Sequence, residues 1–95
     1  DDMPTKYAIG SKVNNSLVAD GCIIEGTVKN SILFRGVKVA KGAVVENCIL
    51  MQDTDVSAKA VLNNVITDKQ AVISEGVVLK GTEDHHCFVG KSQIV

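Results

Sequence analysis

The sequence predicts an all-β protein, a parallel β-helix in which short strands wind into about five stacked coils. Three observations carry that reading. Side-chain types recur in columns at a spacing of 15 to 17 residues, the apolar content is Val and Ile with almost no rings, and Gly and Asn return wherever a coil must turn.

The columns come first. Pairs of an aliphatic residue and a small or polar one, Ile9-Gly10, Ile24-Glu25, Val39-Ala40, Val56-Ser57, Ile73-Ser74 and Val89-Gly90, follow each other at 15, 15, 17, 17 and 16 residues. Four positions after the aliphatic of the first five pairs stand Val13, Val28, Ala43, Ala60 and Val77, and two positions before Ile24, Val39, Val56 and Ile73 stand Cys22, Val37, Thr54 and Ala71. The third column is Asn, a short side chain and an aliphatic: Asn15-Ser16-Leu17, Asn30-Ser31-Ile32, Asn47-Cys48-Ile49 and Asn64-Val65-Ile66. Such a period is too short for helical repeats of about 33 residues or more, and too irregular for heptads.

Composition explains what the columns build. Val (15) and Ile (8) dominate the apolar residues of a 95-residue chain, which is long enough for one domain, while Tyr7, Phe34 and Phe88 are the three rings. Three short strands per period enclose a narrow triangular interior, where β-branched and small side chains fit and rings would collide. Five coils at a spacing of ~4.8 Å would stand roughly 25 Å tall. The recurring Asn is expected to stack on itself at one corner, as amide ladders do. Gly at positions 10, 21, 26, 36, 42 and 76 interrupts any helical stripe.

In chain order, residues 1–8, which contain Pro4, read as a polar lead-in, and residues 9–81 as the coils. Thr82-Glu83-Asp84-His85-His86 breaks the pattern and reads as an excursion; 87–95 reads as an imperfect closing strand or cap, the cover a solenoid end requires.

Charge and cysteine usage narrow the function class. Ten basic and 11 acidic residues, in no like-charged block, give a net charge of −1. That argues against a nucleic-acid stripe or a polybasic membrane patch. No apolar run reaches the roughly 18 residues of a spanning helix and no signal peptide opens the chain, so a cytoplasmic protein is expected. Cys22, Cys48 and Cys87 are an odd count without a CxxC pair, which favours reduced thiols over disulfides or zinc. Cys22 and Cys48 fall in small-residue columns and read as buried packing thiols.

The motif of an aliphatic, a small residue, two polar residues and a small apolar one resembles the hexapeptide-repeat proteins, and that resemblance implies a left-handed coil, against the usual right-handed crossover. The stretches Asn15-Ser16-Leu17-Val18-Ala19-Asp20-Gly21-Cys22-Ile23-Ile24-Glu25-Gly26-Thr27-Val28 and Asn30-Ser31-Ile32-Leu33-Phe34-Arg35-Gly36-Val37-Lys38-Val39 resemble the C-terminal domain of glucose-1-phosphate adenylyltransferase (ADP-glucose pyrophosphorylase). Pro4-Thr5-Lys6-Tyr7 resembles the linker before that β-helix, and Met51-Gln52-Asp53-Thr54 with Asp68-Lys69 resembles the bacterial regulatory-type subunit more than the catalytic one. The resemblance covers about residues 4–81. It implies a parent reaction joining ATP and glucose 1-phosphate into ADP-glucose and pyrophosphate for glycogen synthesis. It also implies a catalytic N-terminal domain, absent from this sequence, that would hold ATP and Mg2+. This part would carry no catalytic site, metal or cofactor, and would serve assembly with other subunits of the enzyme and effector control.

Arg35, the only arginine, stands near Lys38 and Lys41. A guanidinium with ammonium groups nearby suits a phosphate-bearing effector, and the family's sugar-phosphate pocket uses basic residues around the segment matching Leu33 to Val39, so these three are the candidate anion site. The plain alternative is solvated outward positions on a strand. His85-His86 with Glu83, Asp84 and Cys87 raises a metal site, but neighbouring residues of an extended strand point to opposite faces, and a surface loop is the stronger reading. The same pair raises the acyl transfer known among hexapeptide proteins, with a His as general base, so a fragment of such an acyltransferase and a non-enzymatic β-helical scaffold stand as alternatives. Asp53-Thr54-Asp55 resembles half a calcium loop without its remaining ligands and reads as a polar corner.

Overall fold

A computed structural model of the chain describes residues 3–95; Asp1 and Asp2, where the expected linker begins, lie outside the described residues. The first coil holds β1 (Lys6–Tyr7), β2 (Lys12–Asn14) and β3 (Leu17–Val18), and the second β4 (Ile23–Ile24), β5 (Thr27–Lys29) and β6 (Ile32–Leu33). The third holds β7 (Lys38–Val39), β8 (Val44–Glu46) and β9 (Ile49–Leu50), and the fourth β10 (Asp55–Val56), β11 (Val61–Asn63) and β12 (Val65–Thr67). β13 (Val72–Ile73), β14 (Val78–Lys80) and β15 (Cys87–Val89) close the stack. Every pairing is parallel, and each coil gives one strand to each of three five-stranded sheets: β1-β4-β7-β10-β13, β2-β5-β8-β11-β14 and β3-β6-β9-β12-β15. The all-β, three-sided solenoid expected from the columns is the fold.

Register shows what sets the period. From Val39 the inward side chains follow at Val45, Leu50 and Val56, in steps of six, five and six, so a full coil is 17 residues. From Ile24 the steps to Val28, Leu33 and Val39 are four, five and six, and the 15-residue coil has lost two residues at the corner between the first and second sheets. The column starting four positions after each aliphatic therefore mixes two places. Val13 and Val28 are paired strand residues, whereas Ala43, Ala60 and Val77 lie just before β8, β11 and β14. Gly26 takes that place in the short coil, and a Cβ there would sit 2.4 Å from the Ala43 carbonyl oxygen and 2.7 Å from that of Ala40.

The ends depart from the repeat as read. The first sheet begins at Lys6–Tyr7, paired with Ile23–Ile24, while Ile9 sits on a corner fully exposed. At the other end Val89 pairs with Thr67 in the third sheet, because the excursion delays the strand. The first sheet is instead extended by Ile94, bridged to Val72, with the Ser74 N–H donating to the Val95 carbonyl (2.8 Å). The closing strand is better formed than its sequence suggests, all three of its residues being in register with β12.

The core is one column of aliphatic layers: Ile24, Leu33, Val39, Val45, Leu50, Val56, Leu62 and Ile73 are fully enclosed, each burial contributing about 1.5–3 kcal/mol. The rings stay out of it; Tyr7, Phe34 and Phe88 are 56%, 43% and 64% exposed. Thr54 and Thr67 are the polar exceptions at its centre. Their hydroxyls lie 2.7 Å apart, Thr54 Oγ1 donates to the Met51 carbonyl (2.8 Å), and no described side-chain polar atom is buried without a partner.

The Asn column marks the corner between the second and third sheets. Asn15, Asn30, Asn47 and Asn64 have φ of 48, 47, 56 and 55°, the left-handed region that Asn tolerates better than most residues. Asn15 Nδ2 donates to Asn30 Oδ1 (2.5 Å), so one rung of the expected amide ladder forms, while Asn64 turns to Asn63 Oδ1 (2.6 Å). The short residue after the Asn makes its own ladder. Ser16 Oγ accepts the Ser31 N–H (3.1 Å) and donates to the Asn14 carbonyl (2.8 Å); Ser31 Oγ accepts the Cys48 N–H (3.0 Å) and donates to the Lys29 carbonyl (2.7 Å).

Candidate functional site

The three cations expected to gather around an anion are spread over three recesses. Arg35 follows β6 at the corner leading to the first sheet, in a recess of about 240 Å3 shared with Asp20 and Asp53. Lys38 projects outward from β7, between Ile23 and Asp55 of the neighbouring strands, in a shallow recess of about 200 Å3 with Glu25. Lys41 turns the next corner and lines a larger recess of about 540 Å3, opposite Lys12. Proximity in sequence does not gather them into one recess because Arg35 and Lys41 stand on the corners at either end of β7 and Lys38 on β7 itself. Carboxylates line all three recesses, but that of Lys41 holds two lysines, Lys12 and Lys41, against the single Glu25.

His85 and His86 lie exposed on the excursion. Its turn is closed by Thr82 and His85, each donating its N–H to the other's carbonyl (2.9 and 3.2 Å), and the His85 N–H also reaches Thr82 Oγ1 (3.0 Å). Gly81 is needed at its base, since a Cβ there would meet the Asn64 carbonyl oxygen and the Cys87 nitrogen at 2.5 Å. His86 and Glu83 overhang a groove of about 740 Å3 floored by Ile32, Ile49 and the Asn corner. Among the described residues no three His, Cys, Asp or Glu stand close enough to hold a metal ion. Cys22 and Cys48 are buried, and Cys87 is partly so. Burial pushes the Cys22 thiol up and the Cys48 thiol up to about 11, so at neutral pH both are protonated packing groups rather than nucleophiles.

Two features escaped the sequence reading. One is Lys12, whose relation to Lys41 depends on the short second coil; the 15-residue spacing was its visible signal. The other is an outward row on the third sheet, Leu17, Ile32, Ile49, Ile66 and Phe88, aligned by pairing. Leu17 is 70% exposed and Phe88 64%, an apolar stripe of the kind interaction surfaces carry. It was legible as the third residue of each Asn motif.

A parallel solenoid turning on Asn-small-aliphatic corners, with charged recesses and an apolar stripe but no metal cluster among the described residues, is a hexapeptide-repeat architecture. The chain belongs to the GlmU-like, C-terminal hexapeptide family, whose model matches residues 4–92. It is similar to the glycogen biosynthesis protein GlgD of Bacillus subtilis (strain 168), 51% identical over 94 residues that cover 99% of this chain and 27% of that protein. GlgD of Geobacillus stearothermophilus is 60% identical over 45 residues, 47% of this chain and 13% of its own length. Glucose-1-phosphate adenylyltransferase of the same organism is 56% identical over 36 residues, 38% of this chain and 9% of that protein. The chain thus spans about a quarter or less of these relatives, and it is homologous to parts of GlgD and of glucose-1-phosphate adenylyltransferases. That homology sets it in a nucleotidyltransferase-related family. No helix of the described residues is long and apolar enough to cross a membrane.

Proposed function

We propose that this chain is the assembly and control part of a bacterial glucose-1-phosphate adenylyltransferase subunit of the regulatory type, working in the cytoplasm. The observation that carries the reading is the 51% identity to GlgD running over nearly the whole chain but little of the relative. Catalysis, with its ATP and Mg2+, would belong to a preceding domain joined through residues 1–8, and the β-helix would hold no reacting group of its own. The apolar row on the third sheet supports a role in subunit contact, with other subunits of the same enzyme as partners. A sugar-phosphate effector is the expected control ligand, with Arg35, Lys38 and Lys41 as the residues to test, each now in its own recess.

The test is made on the full coding sequence that contains this segment. An upstream nucleotidyltransferase domain of about 250 residues or more is expected. Ile32→Glu with Ile49→Glu should then lower the assembled mass in light scattering and blunt activation by sugar phosphates. An upstream sequence without such a domain, or a double variant that assembles and responds like the parent, would overturn the reading.

A further inference from the structure

The second coil is two residues shorter than its neighbours, and the whole deficit falls at one corner. Four positions separate Ile24 from Val28, whereas six separate Tyr7 from Val13, Val39 from Val45 and Val56 from Leu62. The loss opens a notch of about 540 Å3 between the first and third coils.

The notch leaves a hydrogen-bond donor without its usual acceptor. Where a left-handed corner stacks over a full corner, its amide donates to the coil beneath: Lys59 to the Lys41 carbonyl (3.4 Å) and Gly76 to that of Ala58 (3.0 Å). The other two corners repeat the rule, with Asn30, Asn47 and Asn64 donating to Asn14, Lys29 and Glu46, and Gly36, Asp53 and Gln70 to Asp20, Arg35 and Gln52. Gly42, at φ 80° above the missing corner, donates to no backbone acceptor among the described residues. It lines the notch with Lys12, Lys41, Thr27 and Glu25. Lys59 stands beside it, its Cγ 3.4 Å from where a Gly42 Cβ would lie. None of the three lysines is ion-paired among the described residues.

We infer that this notch is an anion site that takes a phosphate group. The Gly42 N–H, which has no backbone acceptor among the described residues, lines one concave surface with Thr27 and the two lysines Lys12 and Lys41 against a single carboxylate, Glu25. Main-chain amides with cations are how small anions are held. The notch shares no lining residue with the recess of Arg35 and adjoins that of Lys38 at Glu25, which lines both. The physiological role, effector sensing, rests on the function proposed above; the binding itself does not.

The experiment is a 1H–15N NMR titration of the chain with inorganic phosphate, against sodium chloride at matched ionic strength. Saturable movement of the Gly42 amide with phosphate alone is expected. Lys12→Gln with Lys41→Gln should weaken it at least tenfold, and Glu25→Gln should tighten it about threefold. Inserting Ala-Gly between Glu25 and Gly26 restores a full corner and should abolish the response while the spectrum stays dispersed. The site is overturned by a Gly42 shift that matches the chloride control, or one unchanged in the lysine double variant, whose exposed positions leave folding intact. Repeating the titration with glucose 1-phosphate separates the levels. Loss of phosphate binding removes the site and leaves the family reading standing, whereas binding of both anions supports the site even if the full-length enzyme ignores them.

Discussion

Two corners of the same solenoid are built by different rules. The corner between the second and third sheets carries Asn in four successive coils, with Ser, Ser and Cys beside it forming a side-chain ladder. The corner between the first and second sheets carries Gly10, a two-residue deletion, Gly42, Lys59 and Gly76, held by main-chain bonds alone. In the four coils where side chains lock it, the Asn corner keeps its length; in the fifth, which has no such Asn, it takes the five-residue excursion. A corner locked only by the backbone can be cut, and the cut creates the notch between the first and third coils.

The largest effect should come from breaking the cut corner itself. Gly26→Ala drives a methyl group into two carbonyl oxygens of the coil above, neither of which can swing away, and should cost about 3 kcal/mol. Gly76→Ala, with nothing within 4 Å but a φ of 73°, should cost about 1–2 kcal/mol; urea unfolding midpoints separate the two. Equal losses would mean that the deletion creates no steric tightness.

The Asn-side ladder can be probed through its thiol. Cys48 keeps its proton in the folded chain, with a value of about 11, after the unfolded chain has lost it near the ordinary 9.0. Its contribution is therefore complete below about pH 9 and falls by about 2–3 kcal/mol as pH rises to about 11. Cys48→Ser keeps the small polar group that Ser31 presents one coil earlier. Comparing the two proteins' urea midpoints at pH 8 and 10.5 should show the steeper loss in the parent, and parallel curves would refute buried titration.

Smaller effects sharpen the contrast. Asn47→Ala at φ 56° should cost about 1–2 kcal/mol, and Asn47→Gly less, if the left-handed backbone and not the amide ladder sets the preference. Gln70→Gly at φ 61° should raise stability by up to about 1 kcal/mol, again read from thermal or urea unfolding.

The middle of the fold was legible because chemistry and register coincide there. Ile24, Val39, Val56 and Ile73 are a true column, and Cys22, Val37, Thr54 and Ala71 lie buried beside it. The first and last coils were not, since Tyr7 and Ile94 owe their places to hydrogen bonds with a neighbouring coil and carry no mark of their own. Val28 and Ala43 both satisfy a rule of small apolar residues, so only pairing could tell strand from corner. The anion residues were partly legible for the same reason. Lys41 was visible as a cation, but Lys12 lies 29 positions away and lines the same recess only because the coil between them is shortened.

The five-residue excursion before β15 has a consequence for how such a chain can change over generations. Leu79 and Val89 are ten residues apart where five would suffice, yet Cys87, Phe88 and Val89 still align with Val65, Ile66 and Thr67. With a two-residue deletion tolerated at one corner and a five-residue insertion at another, length variation is quarantined at the vertices, and each coil inherits its alignment from the one before it rather than from the count of residues between them.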